Sequence, residues 1–286
     1  MKIIKQLREE IGISLERFAE MLDTTQQTIA DWEAGHSEPT ESTLRDIAVI
    51  FGTSVDDLLG QNPLTDRVMS THIIMDYSRE HIRESFWGNF GVLLPGATHT
   101  KWYPITDGER DRISESLASE KKWLMATTLN NRLLVINLDK VIRLWLLDDD
   151  ADQPEEDWEL EGDEYTGLPF EIYKGMDDYE RENDAWFDAS SEKFKEAVRL
   201  GIDELNVADE GLIEKLHNTI IHINGRPEIS YWVKPEAQNT LISQAKCEKI
   251  GLMIYLPDYC DQFETYFAAN SISIIDMPLL DLMETT

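Results

Sequence analysis

Apolar residues in the first 60 positions recur with a helical beat. Ile3, Ile4, Leu7 and Ile11 mark one short helix, and Leu15, Phe18, Ala19 and Leu22 a second, at i, i+3, i+4, i+7 spacing. Ile29 and Trp32 give a third helix its inner side. Leu44, Ile47, Ala48 and Phe51 repeat the second pattern, and Val55, Leu58 and Leu59 end the series in a turn or two. Ser14 and Thr25 stand where N-caps belong, because a side-chain oxygen there accepts an orphan amide of the first turn. Gly12, Gly35, Gly52 and Gly60 each follow a helical pattern, where a left-handed residue is wanted. The pattern predicts a mainly α, five-helix domain over residues 1–60, with an edge at Gln61-Asn62-Pro63.

Beyond that edge the period changes. Trp123–Leu129, Arg132–Asn137 and Val141–Leu147 are short β-rich runs, and Asn130-Asn131 suits a tight turn between the first two. Ile220–Ile223, Asn224-Gly225 and Ile229–Val233 read as a second hairpin. Ile250–Leu256 and Ile272–Ile275 add strands; helical patterns fall at Glu192–Leu205, Glu210–His217 and Glu236–Ala245. Residues 66–286 are therefore expected to form a larger α+β domain, a twisted antiparallel sheet with helices at one side, serving dimerisation, sensing or partner docking. A length of 286 residues agrees with two domains at roughly 150 each.

Charge complicates this picture. The chain carries 26 basic and 56 acidic residues, a net of −30. Half of that excess lies in the acidic segment 148–184, which has 17 acidic residues against Lys174 and Arg181. Its first part, Asp148–Glu164, reads as a solvated loop, since its charges repel and little is apolar. The remainder has aromatics enough to dock. Such an acidic protein is repelled from duplex DNA over most of its surface, so any nucleic-acid site must be local. Two cysteines, Cys247 and Cys260, make no disulfide scaffold; both are expected to be buried in a cytoplasmic protein. No apolar run approaches the ~18 residues of a membrane span, and the first residues lack the apolar stretch of a signal peptide.

Within the third helix, steps of about 100° from Ile29 place Thr25, Trp32 and Glu33 on the inner side. Gln27, Asp31 and Ala34 then point outward, with Thr28 and Ala30 on the flanks. Gln26 lies in the first turn, where a side chain projects past the helix end. A helix led by two glutamines can enter a major groove tip first, its amides pairing with adenine N6 and N7.

Residues 4–60 resemble the Cro/phage-repressor (XRE) helix-turn-helix family. The resemblance rests on Leu7-Arg8-Glu9-Glu10-Ile11-Gly12-Ile13-Ser14, then Phe18-Ala19-Glu20-Met21-Leu22, then Thr24 through Gly35, followed by Pro39, Leu44, Ile47-Ala48 and Leu58-Leu59. It implies a sequence-specific transcriptional regulator, a homodimer on a double-stranded DNA operator. The residues expected to face DNA are Ser14, Thr25, Gln26, Gln27, Thr28, Asp31 and His36. The resemblance also implies a structural ion pair between Arg8 and Glu33. Leu15 departs from the glutamine common at the start of helix two, and His36-Ser37-Glu38 replaces the lysine or arginine frequent after the recognition helix. With five basic and 12 acidic residues, 1–60 has a net of −7, so the salt dependence of binding should be shallow.

No catalytic constellation stands out. There is no Gly-x-Ser-x-Gly elbow, Walker loop or His-Glu-x-x-His helix, and Gly88-Asn89-Phe90-Gly91 is too poor in glycine for a phosphate cradle. His217 and His222, five apart, share neither a helix face nor a strand face. The expectation is a non-enzyme without cofactor or metal. An alternative reading is an antitoxin-like or DNA-mimicking protein whose acidic surface binds a basic partner.

Overall fold

The computed structural model describes residues 2–60, 73–75, 81–83, 86–154, 157, 167–181, 189–205 and 211–283. The expected edge at residues 61–63 and the aromatics Trp158, Tyr165, Trp186 and Phe187 lie outside them. The chain opens with α1 (Lys2–Glu10), α2 (Leu15–Met21), α3 (Gln26–Ala34), α4 (Glu41–Ile50) and α5 (Val55–Leu59). Four strands follow, β1 (Ile73–Met75), β2 (His81–Arg83), β3 (Phe86–Leu93) and β4 (Lys101–Thr106). Then come α6 (Asp107–Leu117), β5 (Trp123–Thr127), β6 (Arg132–Asn137), β7 (Arg143–Asp148), α7 (Phe170–Glu180) and α8 (Glu192–Glu204). The last part holds α9 (Leu212–His217), β8 (Asn218–Ile223), β9 (Ile229–Trp232) and α10 (Pro235–Lys246). It ends in β10 (Met253–Tyr255), β11 (Tyr266–Ala268), β12 (Ile272–Pro278) and α11 (Leu279–Met283). The protein is thus five N-terminal helices followed by an α+β region.

Two compact units divide these elements. The first comprises residues 1–86 and 168–204. Its five helices close over Ile4, Leu7, Phe18, Ile29, Trp32, Ile47, Phe51 and Leu58. Each apolar stripe is narrow enough to leave its opposite face polar, which is how short helices find one shared core. The chain turns sharply between helices through the left-handed residues Gly12, Gly35 and Gly52, Gly60 ends α5 in the same way, and Asp23 takes that conformation after α2.

Sequence reading assigns residues 168–204 to the second part of the chain; in the structure they pack in the first unit, with α4 touching both α7 and α8. Val49 of α4 is fully buried although it lies outside the five-helix core. A Cβ on Gly175 would stand 2.6 Å from Val198, and one on Gly201 2.5 Å from Met176, so both glycines let α7 and α8 approach closely. Polar groups tie the added helices to the module. Arg45 donates to Ser190 at 2.8 Å, Ser191 to Asp46 at 2.7 Å, and the Val55 amide at the start of α5 to Glu171 at 3.0 Å. Lys174 lies 3.0 Å from Asp56. Burial pushes the Glu171 carboxyl up, against the pull of Lys174, the Val55 amide and Arg45.

The second unit comprises residues 87–167 and 205–286. It has a five-stranded sheet of order β5-β6-β12-β8-β9 and a three-stranded sheet of order β4-β3-β7, rather than one continuous sheet. In the larger sheet every neighbouring pair is antiparallel. Its central strand β12 is buried along its whole length, with Ile275 opposite Val135 on one side and Ile221 on the other. Phe90, Val92, Tyr103, Ile105, Ile113, Leu124, Leu134, Ile136 and Ile274 share a core. Gly88 through Gly91 form part of β3; a Cβ on Gly91 would stand 2.7 Å from the Trp102 ring.

Charged groups in this unit are paired with care. Arg132 donates to Asp276 at 2.5 Å and to the Asn218 carbonyl at 2.9 Å, while the Tyr103 hydroxyl donates to Asp276 at 3.1 Å. His217, fully buried, sits 2.5 Å from Asp281, which also accepts from the Trp232 indole at 2.8 Å. Asp157 shows that the acidic stretch is anchored at one point at least. Its carboxylate takes the amide and hydroxyl of Thr100, each at 2.6 Å, and lies 2.5 Å from Arg143. Burial pushes that carboxyl up, but the Thr100 bonds and Arg143 outweigh it and hold it low. Cys247 and Cys260, expected inside, are both exposed, on the turn after α10 and in the loop before β11. A turn places side chains by backbone direction, and here neither faces a core.

Candidate nucleic-acid interface

The tip of α3 is built by its caps. The Thr25 side chain accepts from the Thr28 amide at 3.2 Å, and the two hydroxyls are 2.8 Å apart. That satisfies one orphan donor and leaves the other first-turn amides facing outward with the positive end of the helix dipole. At the far end Gly35, with φ +76°, lets the His36 amide reach the Asp31 carbonyl at 2.8 Å. The paired bond from Gly35 to the Trp32 carbonyl, 3.1 Å, completes a Schellman stop. A β-carbon at that left-handed position would be strained.

Between these ends the helix presents two chemistries. Ile29 and Trp32 are buried in the module core. Gln26 and Gln27 are exposed, and Thr28 and Asp31 are half-buried beside them. Gln26 carries no side-chain hydrogen bond among the described residues, so both halves of its amide are open to a partner. Gln27 donates through Nε2 to Asp31 Oδ1 at 2.9 Å, one turn along. Its carbonyl oxygen and second N–H stay available, the acceptor and donor that an adenine edge requires. His36 Nδ1 lies 3.6 Å from the same Asp31 oxygen, just past the helix. Ser14 caps α2, accepting from the Arg17 amide at 3.1 Å, and its exposed hydroxyl keeps a proton to donate.

Arg8 and Glu33 form a forked pair that holds α3 against α1. Arg8 Nε lies 2.6 Å from Glu33 Oε1 and Nη2 lies 3.0 Å from Oε2, while Nη1 donates to the Ile13 carbonyl at 2.9 Å. Both side chains are almost out of water, at 10% and 7% exposure. The bonds to Glu33 hold the guanidinium's pKa up against burial. Glu33 thus stands nearly two helical turns behind the exposed amides, fixing the axis along which they project.

Comparison with known proteins places the module. Residues 4–58 match the family model described as helix-turn-helix. They are a Cro/phage-repressor-type (XRE) helix-turn-helix domain. No curated protein and no solved structure matches the chain. A helix-turn-helix domain of this type gives the protein the character of a DNA-binding regulator. Among the described residues no helix is long and apolar enough to cross a membrane.

One residue near the helix-turn-helix tip escapes any local reading of the sequence. Lys193 of α8 lies 2.5 Å from Asp23 Oδ2, in the turn between α2 and α3, and donates to the carbonyl of Met21, the last residue of α2, at 3.3 Å. No short-range pattern could have found it, because 172 residues separate Lys193 from Met21.

Proposed function

We propose that the protein is a sequence-specific transcriptional regulator that inserts α3 into the major groove of an operator. Gln26 and Gln27 read base edges there. Ser14, Thr25 and Thr28 meet phosphate or sugar with hydroxyls and first-turn amides, which bind anions without a formal positive charge. Asp31 and His36 border the contact. The observation that carries this reading is the pair of exposed glutamine amides at a capped helix tip, inside a helix-turn-helix domain.

The net charge of the module makes contacts to base edges weigh more than general attraction. With few phosphates neutralised, binding to arbitrary duplex should be feeble. Two copies on half-sites ~34 Å apart raise affinity through effective concentration instead. Each good amide-to-adenine pair discriminates by about 1–3 kcal/mol.

The test is selection of duplexes by the full-length protein from genomic fragments and from a random pool. A two-fold symmetric motif should emerge, and Gln26→Ala with Gln27→Ala should flatten the preference at its adenines. If no duplex is enriched over background, the proposal fails.

A further inference from the structure

The acids around the tip of α3 are each held by a partner. Glu20 lies 3.3 Å from Arg17, Asp31 takes the Gln27 amide at 2.9 Å, and Glu33 is clamped by Arg8. Asp23 is different, for its cation comes from outside the helix-turn-helix module. It sits in a left-handed turn, φ +51°, two residues before the Thr25 cap. Its side chain is 76% exposed, beside the amides that point toward a duplex. Lys193 meets it at 2.5 Å and is further fixed by the Met21 carbonyl at 3.3 Å.

We propose that Lys193 is part of the DNA interface: it cancels the Asp23 charge at the helix tip, so that α8 completes a reader the 4–58 module leaves electrostatically unfinished. This rests on the DNA-reading role of α3 argued above. An uncompensated carboxylate beside the helix tip would repel the phosphates of a bound duplex, a repulsion that ordinary salt screens only beyond its ~8–10 Å Debye length. Cations elsewhere cannot take over this role, since the effect falls off with distance. Nor do the helices added to the unit act through bulk charge: residues 168–204 contain 11 acidic residues against five basic ones. The contribution of α8 is one ammonium in one place.

The experiment uses the full-length protein and the best duplex selected by the wild type, titrated between 50 and 200 mM salt. Lys193→Gln should bind about three- to tenfold more weakly at the lower salt, the gap closing as salt rises. Lys193→Gln combined with Asp23→Asn removes both charges and should return within about twofold of wild type. Lys193→Arg should bind as wild type does, which separates charge from any change in folding. Equal binding by Lys193→Gln, or a double variant as weak as that single one, overturns the proposal while leaving the regulator reading intact. A wild type that selects no duplex overturns both.

Discussion

Replacing Arg8 by methionine removes the cation from a pair that folding has taken almost wholly out of water. Glu33 would be left at 7% exposure with neither of its bonds of 2.6 and 3.0 Å, and the Ile13 carbonyl would lose its donor as well. Breaking a buried pair by deleting one partner costs about 3–5 kcal/mol. The lower end applies here, because the pair lies toward the rim of the module, with exposed Glu9 3.7 Å from Arg8. A loss of about 3 kcal/mol is a large fraction of the ~5–15 kcal/mol that domains possess. A chain of two units has no single unfolding equilibrium, so the readout is native-state hydrogen exchange at the amides of α1 and α3. Those amides should lose protection by about two decades in Arg8→Met. The double variant Arg8→Met with Glu33→Leu, which puts apolar volume where the charges were, should recover most of it. A single variant costing under about 1 kcal/mol would refute the reasoning, as would a double variant no better than the single.

Three further outcomes are expected. Gly175→Ala should destabilise the first unit by about 1–3 kcal/mol, since its Cβ would meet Val198 at 2.6 Å, whereas Gly108→Ala in α6 meets nothing within 4 Å and should be neutral or stabilising; native-state hydrogen exchange at the amides of α8 and of α6 checks the two. His222, nearly buried, is held at a pKa of about 4 by burial and by Lys101 and Arg132, against Asp276 and Glu228. Being neutral when folded, it contributes stability that is present above its unfolded pKa near 6.5 and lost as pH falls toward about 4, a difference of about 3 kcal/mol that His222→Gln should abolish in native-state hydrogen exchange at the β8 amides across a pH series. Glu171 has the opposite sense: its raised pKa means the native state keeps the proton longer, so its stabilising effect is complete below the ordinary carboxyl pKa and lost as pH rises through the folded value. Glu171→Gln retains an acceptor for the Val55 amide, and its stability should exceed that of wild type by a margin that grows over that pH range.

Much of the α3 tip was legible because its causes are local. The inward positions Ile29 and Trp32, the Thr25 cap and the left-handed Gly35 follow from a 3.6-residue period and from which residues tolerate which backbone angles, although Thr25, counted on the inner side with them, is exposed. Ile3 shows the limit of periodicity: counted with the apolar face, it is 37% exposed. Strand β3 was missed, since Gly88, Asn89 and Gly91 carry little β preference and the strand is specified by what covers it, including the Trp102 ring. Helix α7 was hidden in a run of acids, and nothing in that run marks Glu171 and Asp177 as the buried ones. Lys193 had no signal among its own neighbours in the chain. Its one hint lay at a distance: α4 carries Val49, an apolar residue beyond what a five-helix core consumes.

The sequence by itself determined the helices of the N-terminal module, their caps, the outward amides and an excess of negative charge, all set by covalent connectivity over a few residues. Only the tertiary structure decided which charges are cancelled, which carboxylates are dry, and that α7 and α8 belong beside α4. Those outcomes depend on groups far apart in the chain being brought within a few ångströms, where desolvation and Coulomb energy change steeply, and no local pattern of residues encodes that distance.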